Sequence, residues 1–277
     1  MPRYVRAWLS HEPADLAAAR AQAPDHFFPS RLQELSVLEW ALAQPGEDPL
    51  AAYGLGNLLY DKRRHRDAIE AWERADTSGI PQIHRNLAIA RWNVHRDGEA
   101  ARAGYLRAIG LDAGDARLVS EYDQLRGKLN DPLEERLASL EEKRELVATR
   151  DDASVALATL LNLTGRPDDA LELLYSRRFH PWEGGEGAVL RQFTTAKLLL
   201  GRRALEAGDA GAALEHFSGA MDTPESLGEK YHLLQAKADV NYWIGRTLKA
   251  LGRTDEARAA LEASASEQGG FAAMAVT

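Results

Sequence analysis

The chain has 277 residues, 45% hydrophobic and 27% charged, with a formal charge of −8. That is the balance of a globular protein with ample core, and its acidic sign argues against nucleic acid as a general partner, since that affinity rests on Lys and Arg. With no cysteine, disulfides, thiolate metal sites and a thiol nucleophile are excluded.

Met1 to Trp8 lacks the apolar run and small-residue cleavage site of a signal peptide. No stretch approaches the roughly 20 apolar residues of a membrane helix. The expected location is the cytoplasm, without membrane contact. Residues 1–48 read as helical over 14–23 and 31–43, the second stretch opening after Phe28-Pro29-Ser30. They are expected to form an N-terminal cap on a repeat region spanning 49–267. Residues 268–277, rich in Gly and Ala, read as a tail that frays.

From residue 49 one landmark recurs. A small residue is followed twelve positions later by Ala, and four after that by a large apolar residue. The copies are Gly56, Ala68, Trp72; then Ile89, Ala101, Tyr105; then Ala158, Ala170, Leu174; then Gly201, Ala213, Phe217; then Gly245, Ala257, Leu261. Gly165, Gly208 and Gly252 each precede the Ala by five, where Gly supplies the left-handed residue that closes a helix. Helix-start signals follow, at Pro167-Asp168-Asp169, Asp209 and Thr254-Asp255-Glu256. Each unit therefore reads as helix, short turn, helix. Small residues let the two helices approach, and the large residue is expected to fill the groove to the next unit. Residues 118–147 have the same length and periodicity, but Glu135 stands in the Ala slot, so this unit reads as degenerate.

The pattern resembles the tetratricopeptide repeat, a helix-turn-helix of 34 residues. Leu55-Gly56 with Ala68, Trp72, Ala75 and Pro81 matches that motif best. The resemblance implies an all-α, right-handed α-solenoid of about six helical pairs, and a protein or peptide as partner. The spacing from Ala170 to Ala213, and from Ala213 to Ala257, exceeds the repeat length by nine or ten residues. The surplus falls at Phe179–Gly187 and near Asp222–Glu229, and repeat proteins put such insertions in loops on one face. Phe28-Pro29-Ser30-Arg31, Leu55–Tyr60 and Arg177–Gly187 together are similar to the C-terminal repeat region of large bacterial proteins. Those proteins carry, ahead of it, a domain of unknown function thought to act on carbohydrate.

Two groups of residues are candidates for binding. On the inner face formed by the first helix of each unit, the offsets place Tyr53, Asn57, Tyr60, Asn86, Asn93, Asn162, Arg202, Tyr242 and Arg246. Related repeats that grip a C-terminal carboxylate use Lys and Asn here; Asn57 fits the Asn, but Tyr53 stands where the Lys would be. In the Gly-rich loop, His180, Trp182, Glu183 and Glu186 offer a flat apolar ring and titratable groups. Their structural alternative is Trp182 plugging a gap and Glu183 capping a helix. Pro181 opposes a regular helical metal site there. Trp40, Trp72, Trp92 and Trp243 read as core. The run Asp61-Lys62-Arg63-Arg64-His65-Arg66 reads as a solvated turn.

The resulting expectation is a non-catalytic interaction module that binds a peptide or partner protein on its concave face, with no cofactor and no metal. A homodimer through exposed end repeats is a further expected partner. The alternative is an accessory domain of a carbohydrate-active enzyme, with the Phe179–Gly187 loop touching glycan or a neighbouring domain.

Overall fold

A computed structural model of the chain describes residues 1–25, 27–75, 77–231 and 236–267. The expected tail at 268–277 lies outside them. The chain forms two compact units, one running to Leu129 and one starting at Asn130.

The first unit begins with a helix the periodicity did not reveal, α1 (Pro2–Ser10), closed by a left-handed His11. Proline at a first helical position loses no hydrogen bond, and Tyr4 and Ala7 share its buried face. Next come α2 (Pro13–Arg20), shorter than the expected 14–23, and α3 (Leu32–Ala43). Then α4 (Pro49–Asp61), α5 (His65–Glu73), α6 (Pro81–Ala90) with a π-turn over Arg91–His95, α7 (Gly98–Leu111) and α8 (Ala116–Lys128). The second unit holds α9 (Leu133–Glu142), the short α10 (Arg144–Val147), α11 (Asp151–Leu163), α12 (Pro167–Tyr175), α13 (Ala188–Glu206), α14 (Ala210–Gly219), α15 (Ala238–Ala250) and α16 (Thr254–Ser266). No strand occurs among the described residues.

The helices pair as hairpins α4–α5, α6–α7, α11–α12, α13–α14 and α15–α16. Ala68, Ala101, Ala170, Ala213 and Ala257 are all buried at the crossings. The large residue takes a different place from the one expected. A side chain on Gly56 would overlap the Trp72 indole, and one on Gly201 the Phe217 ring. A Cβ on Gly245 would lie 2.7 Å from Leu261. Each large residue therefore seats on the glycine of its own hairpin. Phe217 also reaches onward, stacking on Trp243 of α15 at 5.8 Å and 19°.

The second hairpin departs from the frame by one residue. Its small slot is filled by buried Ala88 and not by Ile89. Ala88 meets Gly104 of α7, where a Cβ would come within 2.9 Å of the Ala88 Cβ. The π-turn supplies the extra residue. In the other hairpins the first residue past the left-handed one donates its N–H five residues back: Arg64 to Leu59, Arg166 to Leu161, Asp209 to Ala204, Arg253 to Leu248. Asp97 donates six back, to Arg91.

Gly165, Gly208 and Gly252 do adopt left-handed φ values, of +78°, +82° and +77°. The same position is held by Arg63 (+60°), Arg96 (+56°) and, five residues before the Glu135 slot, Asn130 (+58°). A left-handed side-chain residue costs roughly 1–2 kcal/mol, which glycine avoids. Gly208→Ala is thus expected to lower unfolding free energy by about 1 kcal/mol, and Arg63→Gly to raise it by up to about 1 kcal/mol. Urea unfolding of the two variants checks both signs.

Candidate functional site

The inner helices of the first unit enclose two adjoining hollows that share Ile89. The first, about 340 Å³, is lined by Asn57, Tyr60, Asp61, Trp72, Arg85, Asn86 and Ile89. The second, about 190 Å³, runs from Ile89 along Trp92 and Asn93 to Tyr105, Glu121, Gln124 and Lys128. The one-residue shift at the π-turn is what places Ile89 here. In the unshifted frame Ile89 would point at α7, and a branched side chain there would force the hairpin apart.

The amide of Asn86 donates to the Asn57 carbonyl oxygen at 2.8 Å, joining α6 to α4. The Asn93 amide reaches the Tyr60 hydroxyl at 3.5 Å. The Tyr60 ring stacks on His65 at 4.5 Å and tilts onto Trp72 at 5.6 Å. Arg85 donates twice to Glu121, at 2.6 Å each, and once to the Asn86 side-chain oxygen at 3.1 Å. Arg117 adds a third bond to Glu121 at 2.8 Å. Burial pushes the Glu121 carboxyl up, but the hydrogen bonds and charges of Arg85 and Arg117 outweigh it and hold it below its ordinary range. Burial also lowers Arg85, and Glu121 more than restores it. Burial first, then the Glu121 charge, raise the Tyr105 hydroxyl. Arg85, Arg117 and Glu121 thus satisfy one another, while the Asn57 and Asn86 amides, the Tyr60 hydroxyl and apolar surface lie open along the groove beside Asp61 and Lys128.

Two expected inner-face residues are not on open surface. Tyr53 is only 6% exposed. It belongs to the core, and its carbonyl accepts the Trp72 indole N–H at 3.3 Å. Asn162 is 4% exposed and ties α11 to α13 by donating to the Gln192 carbonyl at 3.0 Å and its side-chain oxygen at 3.2 Å. Conversely, Arg85, Ile89, Trp92, Glu121 and Gln124 line the groove and were missed. Trp92 is half-buried on the wall, whereas only Trp72 of the tryptophans expected in the core is fully enclosed. The legible signal was Ile89 in a slot otherwise holding Gly or Ala, with Ala88 beside it.

In the second unit the two insertions close on each other. Buried Phe179 donates its N–H to the Ser226 carbonyl at 2.8 Å. Glu229 accepts the N–H groups of Gly187 (2.7 Å) and Leu190 (3.0 Å), capping α13. That cap was expected of Glu183, which is exposed. Arg177 anchors the loop start through Asp151, the Ser154 hydroxyl (2.6 Å) and the Ala148 carbonyl (2.6 Å). The His180 backbone N–H donates to Asp151 at 3.0 Å, leaving its ring exposed. Trp182 is half-buried and folded over Gly185. Glu186 accepts the Gly184 N–H at 3.2 Å. Most of this loop's polar groups are spent on its own closure.

Elsewhere in that unit Arg202 of α13 and Arg246 of α15 each lie 5.4 Å from the centroid of the Trp243 indole. Exposed Tyr242 lies beside it, 5.8 Å from Arg246. Trp243, expected in the core, is half-buried. Among the described residues no group of three or more His, Asp or Glu is arranged to hold a metal, and no helix is long and apolar enough to cross a membrane.

The chain matches no protein-family model. Its fold is similar to the structure of Naa15/Naa10 bound to HypK-THB, at TM-score 0.52 and 16% identity, over 99% of this chain and 38% of that one. It is also similar to YrrB, a TPR protein with an unusual peptide-binding site (TM-score 0.48, 18% identity, 72% of this chain and 93% of that one). A tetratricopeptide repeat protein from Parabacteroides merdae aligns over 99% of this chain and 97% of its own, at TM-score 0.44 and 12% identity. The described residues are all-α and form repeated helix-turn-helix hairpins.

Proposed function

We propose that this chain is a non-catalytic interaction module that grips an extended peptide segment of a partner protein in the groove of its first unit. The observation that carries the reading is the Asn57–Asn86 amide pair beside Ile89 and Tyr60 in an open channel. A primary amide offers both donor and acceptor, which suits a peptide backbone. The apolar ring and branched side chain supply area, the usual division of labour in a ligand groove. The rival reading, an accessory role beside a carbohydrate-active domain, would place the contact at the Phe179–Gly187 loop.

The test is selection of peptides from a displayed library on the full chain, followed by fluorescence polarisation. Ile89→Asp, which places an unpaired charge on the groove floor, is expected to weaken a selected peptide at least tenfold. This corresponds to the ~1.4 kcal/mol or more typical of a central interface residue. Selected peptides that bind Ile89→Asp and Asn57→Ala as well as the parent would overturn the reading. Glycan-array signal that disappears in Trp182→Ala would favour the rival.

A further inference from the structure

We infer that the aromatic–arginine cluster of the second unit is a docking surface for an acidic peptide segment, with Arg202 and Arg246 receiving its carboxylates. Several arginines of this unit are matched by carboxylates. Arg166 pairs with Asp169, Arg177 with Asp151, Arg203 with Asp168 and Arg253 with Glu256. Arg202 and Arg246 instead have no carboxylate within 4 Å among the described residues, and both are exposed. They come from neighbouring helices of the fold and converge on one indole. Since each is 5.4 Å from that centroid, their guanidiniums lie no more than about 11 Å apart. Two like charges at that range repel weakly, and a bound carboxylate adds an attraction to each.

The platform beneath them is rigid. Phe217, fully buried, stacks on Trp243 at 5.8 Å and 19°, which fixes the indole plane. Tyr242 lies edge-on to Trp243 at 5.5 Å and its hydroxyl is 3.5 Å from Arg246. Planar guanidinium groups held against a ring keep their outer N–H fork open for bidentate carboxylate binding. Lys249, exposed three residues beyond Arg246, extends the positive surface along α15. On a chain of net charge −8, such a local cationic patch directs acidic segments to one place.

This surface is separate from the first-unit groove, so the two readings fail independently. The experiment is fluorescence polarisation of the full chain with a labelled Asp/Glu hexapeptide, and with its Asn/Gln counterpart as the neutral probe. The acidic peptide is expected to bind and the neutral one to bind at least tenfold more weakly. Arg202→Gln combined with Arg246→Gln should reduce acidic-peptide affinity at least tenfold, with an unchanged far-UV circular dichroism spectrum. Ile89→Asp should leave it unaltered. Raising salt from about 0.05 M to about 0.3 M should weaken binding, because exposed charges are screened over roughly a Debye length. Equal binding of the neutral peptide, full affinity in the double variant, or tighter binding of an oligothymidylate than of the acidic peptide would each overturn the inference.

Discussion

Gly56→Val is expected to destabilise the first unit by about 3 kcal/mol or more, the upper end of what overpacking a core costs. The glycine sits mid-helix in α4, where it is less favourable than Ala by roughly 0.5–1 kcal/mol, so local propensity does not explain it. The explanation lies across the hairpin. A side chain at Gly56 would occupy the volume of the Trp72 indole. That indole is 2% exposed, hydrogen-bonded to the Tyr53 carbonyl at 3.3 Å and flanked by Tyr60. Displacing it therefore adds a lost hydrogen bond, worth about 1 kcal/mol, to the steric cost. It would also remove a wall of the proposed peptide groove. Coupling tests the cause: Gly56→Ala with Trp72→Leu should be less destabilising than the sum of the two single changes, because the smaller residue vacates the seat. Urea midpoints of the four proteins measure this.

Asp48→Ala is expected to cost about 3–5 kcal/mol, the range for removing one partner of a buried ion pair. Asp48 is 5% exposed and does three things at once. It accepts the Tyr4 hydroxyl at 2.7 Å, the Arg20 guanidinium at 3.1 Å and the Ala51 backbone N–H at the start of α4 at 2.9 Å. One carboxylate thus links α1, α2 and α4, and its loss leaves a buried hydroxyl and an arginine without their acceptor. Asp48→Asn keeps the cap and should lose less. Burial first, and then the bond to Asp48, push the Tyr4 hydroxyl well above its ordinary range. Its folded value exceeds its unfolded one, so this contribution is full below about pH 10 and declines as pH rises through the folded value. Chemical denaturation across pH 7 to 11 reads both effects, and the alkaline decline should be smaller in Tyr4→Phe.

The hairpins were legible because close packing leaves a mark in residue size. Only a small side chain lets two helices cross, so Ala68, Ala101, Ala213 and Ala257 announce the crossings, and Gly165, Gly208 and Gly252 the turns. Less was legible where different residues satisfy the same geometry. Arg63, Arg96 and Asn130 hold the left-handed position without being glycine. The π-turn is invisible to a fixed period, because one added residue leaves the composition of α6 unchanged while rotating the side chains ahead of it relative to the hairpin turn. That rotation moved Ile89 and Trp92 onto the groove and Ala88 into the crossing. Tyr53 was misplaced for a different reason: its offset put it on the inner face, but offsets do not record that the first core extends beneath it. In the insertions, the closure of Phe179–Gly187 on Ser226 and Glu229 joins segments about forty residues apart. No local pattern encodes such a contact.

The proposed groove is tested most directly by the side-chain amide resonances of Asn57 and Asn86 in the ¹⁵N-labelled chain, followed while a selected peptide is added. Both resonances are predicted to shift in the parent chain and to stay in place in Ile89→Asp. A peptide that binds while leaving them unmoved, and shifts the Trp182 indole instead, would contradict the account.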